Sequence, residues 1–171
     1  MFEDTDNING VIEKLLEVHT DERGKLIETF RLDELPNNIQ PVMSYISYTK
    51  YGFYRGPHEH KERTEIFVFP GPGDLRIILW DNRKDSKTYL NRKIIFAGEN
   101  LPKLILISPG IVHVIENITQ SKEALLINYP NTLFKGWNRQ EEWTDEILHD
   151  SENNVYFKDF MSIKTNHQIK S

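Results

Sequence analysis

From Lys25 to Tyr129 the sequence advances in short β-leaning runs, each cut off by Gly, Pro, Asn or Asp. Lys25–Phe30 and Val42–Tyr51 come first, and Glu65–Pro70 ends in the turn signal Pro70-Gly71-Pro72-Gly73. Leu75–Asp81 then sets Leu75, Ile77 and Leu79 against Arg76, Ile78 and Trp80. Lys93–Phe96, Leu104–Ile107, Val112–Glu116 and Ala124–Tyr129 follow at intervals of about ten residues. Many short strands at even spacing predict an all-β sandwich or barrel, not alternating βα units. A closed or double-sheet arrangement also protects the exposed edges that such strands would otherwise present. Helical signals are confined to the ends. Val11, Leu15 and Val18 share one face of a short segment, and Asn138 with Glu141 forms a capping pair opening a turn or two through Trp143 and Ile147.

The 171 residues fit one domain, 1–171, and 38% hydrophobic with 27% charged residues suits a chain that buries a core in water. A net charge of −5 with scattered positive charges argues against a nucleic-acid partner. No apolar run approaches the roughly 20 residues needed to cross a bilayer. Glu3, Asp4 and Asp6 are the wrong charge for a secretory signal, so a cytoplasmic setting is expected. With no cysteine in the chain, disulfides, zinc-thiolate sites and thiol nucleophiles are excluded together. Chemistry must come from His, Asp, Glu, Tyr, Lys or Arg, or from a bound cofactor.

The sharpest signal is Gly52-Phe53-Tyr54-Arg55-Gly56-Pro57-His58-Glu59-His60, followed by Glu65. Residues two apart on a strand share a face, so His58 and His60 can both look into a barrel, and Glu65 opens the next apolar run. A second block, Pro109-Gly110-Ile111-Val112-His113-Val114-Ile115-Glu116-Asn117, sets His113 early on a strand after a tight turn. Three of six histidines thus fall beside glycine turns in a β-rich chain, where function concentrates on a rigid scaffold.

Gly52-x5-His58-x-His60-x4-Glu65 and Gly110-x2-His113-x3-Asn117 resemble the paired motifs of the cupin superfamily, which implies a jelly-roll β-barrel with short helices near the C-terminus. In metal-binding cupins three His and one Glu at these places hold a divalent ion, here His58, His60, Glu65 and His113. A more specific resemblance joins it. Asp21-Glu22-Arg23-Gly24-x3-Glu28-x-Phe30, Arg55-Gly56-Pro57-His58, Asp81-x-Arg83 with Ser86-x-Thr88-Tyr89, and Pro109–His113 are similar, in order and spacing, to signatures of the dTDP-4-dehydrorhamnose 3,5-epimerase family.

That resemblance implies proton abstraction beside a 4-keto group in surface polysaccharide synthesis, with no metal or other cofactor. His58 would be the base, oriented by Asp150 or, failing that, Asp145, and Tyr129 would be a displaced candidate for the acid. Arg55 would hold a diphosphate oxygen, and His60 and His113 would touch the substrate. Arg23 and Glu28 would reach the nucleotide of a partner copy in a homodimer that exchanges an N-terminal strand. The chain departs from the family pattern where Gln-x-Asn becomes Val42-Met43-Ser44, where the enolate-stabilising lysine falls near Thr64 or Glu65, and around Tyr129. Arg55-Gly-x-His58-x-His60 also resembles the 3,4-ketoisomerases of dTDP-sugars. Epimerase, ketoisomerase, divalent-metal enzyme and non-catalytic nucleotide-sugar binder are all left open by the residues.

Overall fold

Alternation along a strand sends successive side chains to opposite faces, and here several strands bury both. The computed structural model describes residues 2–141 and 145–168. The strands are β1 (Glu3–Asp4), β2 (Val11–Leu15), β3 (Val18–Asp21), β4 (Gly24–Ile27), β5 (Tyr45–Thr49), β6 (Tyr54–His60), β7 (Glu65–Phe69), β8 (Asp74–Asp81), β9 (Asn91–Gly98), β10 (Lys103–Ile107), β11 (Ile111–Asn117), β12 (Ala124–Asn128) and β13 (Glu146–Leu148). Short 3-10 turns occupy Leu32–Glu34 and Trp137–Arg139, and the helix α1 spans Val155–Gln168.

A six-stranded sheet, β1-β9-β8-β11-β6-β13, faces a five-stranded one, β2-β10-β7-β12-β5, while β3 and β4 form a separate hairpin. This is the jelly-roll arrangement of the cupins. Leu75, Ile77 and Leu79 from β8 meet Phe67 and Phe69 from β7 and Ile105 and Ile107 from β10 between the sheets. The opposite face of β8 is apolar too, and α1 covers it. Ile78, Trp80, Val112 and Val114 pack against Tyr156, Phe160 and Ile163. On the outside of the other sheet, Ile66, Val68, Leu104 and Leu106 lie under Leu16, Leu35 and Ile39.

The N-terminal half differs from expectation. Val11–Val18 is extended, contributing β2 and the start of β3, because its backbone completes the edge of β10. Among the described residues the capping pair Asn138 and Glu141 opens no α-helix. Glu141 N–H bonds back to the Lys135 carbonyl, and Ile147 lies in β13. Trp143 falls outside the described residues. Among the described residues no helix is long and apolar enough to cross a membrane.

Candidate active site

The barrel interior is apolar at one end and polar at the other, and strand register makes the division. On β12, Ala124 and Leu126 enter the apolar core, and the next inward position is Asn128. On β7, Phe67 and Phe69 do the same, and Glu65 takes the polar end. Tyr45 pairs with Asn128 across β5 and β12. From the facing sheet come His58 and His60 on β6 and His113 on β11, with His58 directly opposite His113 in register. The His58 and His113 rings meet edge to face at 4.3 Å, and His60 stands 5.5 and 5.9 Å from them. A cavity of about 610 Å³ opens onto this cluster, lined also by Tyr45, Ser47, Arg55, Arg63, Phe134 and Glu146.

Arg55 reaches that cavity because of an irregularity in β6. His58 pairs with His113 and Arg55 with Ile115, so Gly56 and Pro57 together oppose the single residue Val114. This extra residue is a β-bulge, and it returns Arg55 to the face that His58 uses. Tyr54 is correspondingly thrown outward, its ring edge-on to Phe160 at 4.7 Å. Gly56 has φ +91°, and a Cβ there would lie 2.4 Å from the His113 carbonyl oxygen, so only glycine fits. Arg55 is itself held by Thr49 Oγ1 at 3.2 Å and the Tyr48 carbonyl at 3.0 Å.

The imidazoles differ in their proton affinity. Burial, reinforced by the charges of His60, His149 and Arg63, lowers the pKa of His58 to about 3. His113 is pushed well below the ordinary histidine value by burial and then by His58 and His60, and its Nδ1 faces the Ile111 carbonyl at 3.1 Å. Burial also works against a proton on His60, but the hydrogen bond and charge of Glu65, with the charge of Asp145, outweigh it and raise the pKa. His60 is clamped between the two acids, Nε2 at 2.9 Å from Glu65 and Nδ1 at 3.2 Å from Asp145. Among the described residues three buried side-chain polar atoms lack a hydrogen-bond partner: Ser47 Oγ, His113 Nε2 and Asn128 Oδ1. Leaving such a group unpaired costs about 1–3 kcal/mol. All three belong to this polar end, which marks it as a place built for a polar ligand.

The acids of the C-terminal segment are arranged differently from the sequence reading. Asp150 lies past the end of β13, exposed to solvent and not among the residues lining the cavity. β13 pairs antiparallel with β6, Glu146 opposite His60 and Leu148 opposite His58. Asp145, at the head of that pairing, orients His60 and accepts the Arg63 N–H at 2.8 Å. Among the described residues the carboxylate paired with His58 is Glu146, 3.8 Å from Nδ1. Sequence reasoning missed it because a three-residue strand carries almost no pattern.

Tyr129 is turned the other way. It follows the inward Asn128 on the chain, so it faces outward, packing on Phe30 at 4.7 Å and bonding Thr29 at 3.2 Å. Arg23 sits at the exposed turn of the β3–β4 hairpin, paired with Asp21 at 2.5 Å, and Glu28 is exposed beside Arg31 at 3.8 Å. Neither lines this chain's cavity.

His58, His60 and His113 have donor atoms within 4.8 Å of one another, the right type and span for a divalent ion. Their surroundings fit a metal cage poorly. Both His60 nitrogens face carboxylates, and Glu65 is engaged by His60 and by Asn128 Nδ2, with the Arg63 guanidinium 3.7 Å away as a built-in countercharge. The cluster is balanced by its own cations.

A jelly-roll barrel with imidazoles and an arginine converging on one polar cavity defines a small-molecule site suited to proton transfer. The chain belongs to the dTDP-4-dehydrorhamnose 3,5-epimerase family, which it matches over residues 5–161. It is 36% identical over 137 residues to a Haloferax volcanii protein assigned as the low-salt glycan biosynthesis epimerase Agl13, covering 80% of this chain and 86% of that one. It is 31% identical over 147 residues to the spore coat polysaccharide biosynthesis protein SpsL of Bacillus subtilis, covering 82% and 93%. Among solved structures, a dTDP sugar isomerase from Desulfovibrio desulfuricans superposes with a TM-score of 0.73 at 20% identity over 88% of each chain. The 3'-monoepimerase ChmJ of Streptomyces bikiniensis, in complex with dTDP-quinovose, gives 0.68 at 17% identity over 78% of this chain and 69% of that one.

Proposed function

We propose that this protein epimerises a dTDP-4-keto-6-deoxyhexose by removing a proton beside the ketone, with His58 as the base, in the synthesis of a surface polysaccharide in the cytoplasm. The observation that carries the proposal is the bulge in β6, which sets Arg55 on the same wall as His58. One residue is a cation whose planar fork suits a diphosphate, and the other is a neutral imidazole. A hydrogen next to a ketone is weakly acidic because its loss leaves an enolate, and the base must be unprotonated to take it. His58 meets that condition at any pH near neutral. The imidazolium that forms gains from Glu146 nearby and from the negative charge developing on the sugar. Glu65, an acid that would repel an enolate if bare, has its charge engaged by His60, Asn128 and Arg63. Arg23 and Glu28, remote from their own cavity, are consistent with service to the nucleotide of a second copy in a homodimer that exchanges an N-terminal strand.

The test is deuterium wash-in. In D2O the wild type incorporates solvent deuterium at C3 or C5 of the substrate, and His58→Ala loses this by at least ~100-fold. No incorporation by the wild type would overturn the epimerase reading. A product whose ketone had moved to C3 would assign the site to a ketoisomerase instead.

A further inference from the structure

Inversion at a carbon needs two groups on opposite sides of the sugar ring: one removes the proton, and the other returns one to the opposite face. His58 belongs to the six-stranded sheet, so the returning proton must come from the five-stranded wall or the mouth. Tyr129 faces away, and Tyr54 is turned toward α1. The hydroxyls on the facing wall are those of Tyr45, Ser47 and Thr49; of the three, Tyr45 and Ser47 line the cavity, and of these the phenol is far the stronger acid.

The hydrogen bonds around Tyr45 fix which way its proton points. Asn128 Nδ2 contacts a Glu65 carboxylate oxygen, and a carboxylate only accepts, so the nitrogen end of the amide must face it. That same nitrogen lies 2.8 Å from the Tyr45 hydroxyl and donates its second hydrogen there. The phenol oxygen therefore acts as an acceptor toward Asn128, and its own hydrogen remains to be given elsewhere. Although 40% of the residue meets solvent, burial of the hydroxyl end and the nearby charge of Glu65 raise its pKa, so the proton is retained at neutral pH.

From this arrangement we infer that Tyr45, held by Asn128 on the wall opposite His58, is the proton donor that completes inversion. The inference rests on the epimerase reading. In the step, His58 takes the proton from the carbon beside the ketone and the C–H electrons pass into the enolate. The enolate carbon then takes the Tyr45 proton from the other face, the ketone re-forms and Tyr45 is left as phenolate. Solvent at the mouth returns a proton to Tyr45 and accepts the one on His58.

Tyr45→Phe separates removal from return. With the fold checked by thermal unfolding and nucleotide-sugar affinity by titration, the variant should wash deuterium into recovered substrate within a few-fold of the wild-type rate. It should form inverted product at least ~100-fold more slowly. Inversion at the wild-type rate would overturn the assignment. So would parallel loss of wash-in and inversion in a folded, substrate-binding variant, because Tyr45 would then act before the enolate exists. Absence of wash-in in the wild type would instead remove the underlying epimerase reading.

Discussion

At His58 burial and neighbouring positive charges favour the neutral ring, whereas at His60, on the same strand, two carboxylates favour the charged one. Sequence spacing treats the two alike, since both are inward residues of one strand. Nitrogen NMR at about pH 6.5 should find His60 protonated and His58 and His113 neutral. Neutral His60 would break the account of the clamp. The stability consequence follows by linkage. The pKa of His60 is raised, so its contribution is present below about 6.5 and fades as pH rises through the folded value. Glu65 and Asp145 are lowered, so theirs is present above about 4 and fades as pH falls. Asp145→Asn should therefore flatten the acid limb of a melting-temperature profile and destabilise the fold by about 3–5 kcal/mol, because it leaves buried charge unmatched. Which acid serves which histidine was not legible in the chain, as it depends on the pairing of β13 with β6. Tyr45 and Asn128 were hidden for a different reason. Their roles come from register between β5 and β12, not from any motif.

The strands themselves were largely readable, because period-two alternation and Gly/Pro punctuation act locally. The misread element is Val11–Val18, where three apolar residues at helical spacing were outvoted by the open edge of β10. The helix α1 had a signal, Tyr156, Phe160 and Ile163 recurring on one face, matched to the outward apolar set Ile78, Trp80, Val112 and Val114. Phe160 is fully buried there, and Phe160→Ala should cost about 3–5 kcal/mol in chemical denaturation while leaving wash-in by the folded fraction unchanged. The bulge in β6 was not legible beyond its glycine. Gly56→Ala adds about 1–3 kcal/mol of backbone strain plus a contact with the His113 carbonyl that cannot be accommodated without moving β11. Substrate affinity should fall along with stability, since Arg55 and His113 shift together. Retained affinity would mean that Arg55 does not hold the ligand.

Across the whole molecule, the N-terminal hairpin stands apart from the barrel, with Leu26 and Val18 exposed on it and Arg23 at its tip. If its tip serves a second copy, Arg23→Ala and His58→Ala should each be inactive alone and regain up to about a quarter of wild-type activity on subunit exchange, as one intact site assembles per mixed pair. Sedimentation of the wild type as a monomer would remove that arrangement.

The barrel is filled from one end by tightly packed Leu, Ile and Phe side chains, so the chamber holding the histidines is a cul-de-sac. A nucleotide-sugar bound as proposed, sugar inward and phosphates on Arg55, would have to back out by the same door. Product leaving that way would compete with newcomers for the same grip, and throughput would become sensitive to how fast the next step downstream clears it.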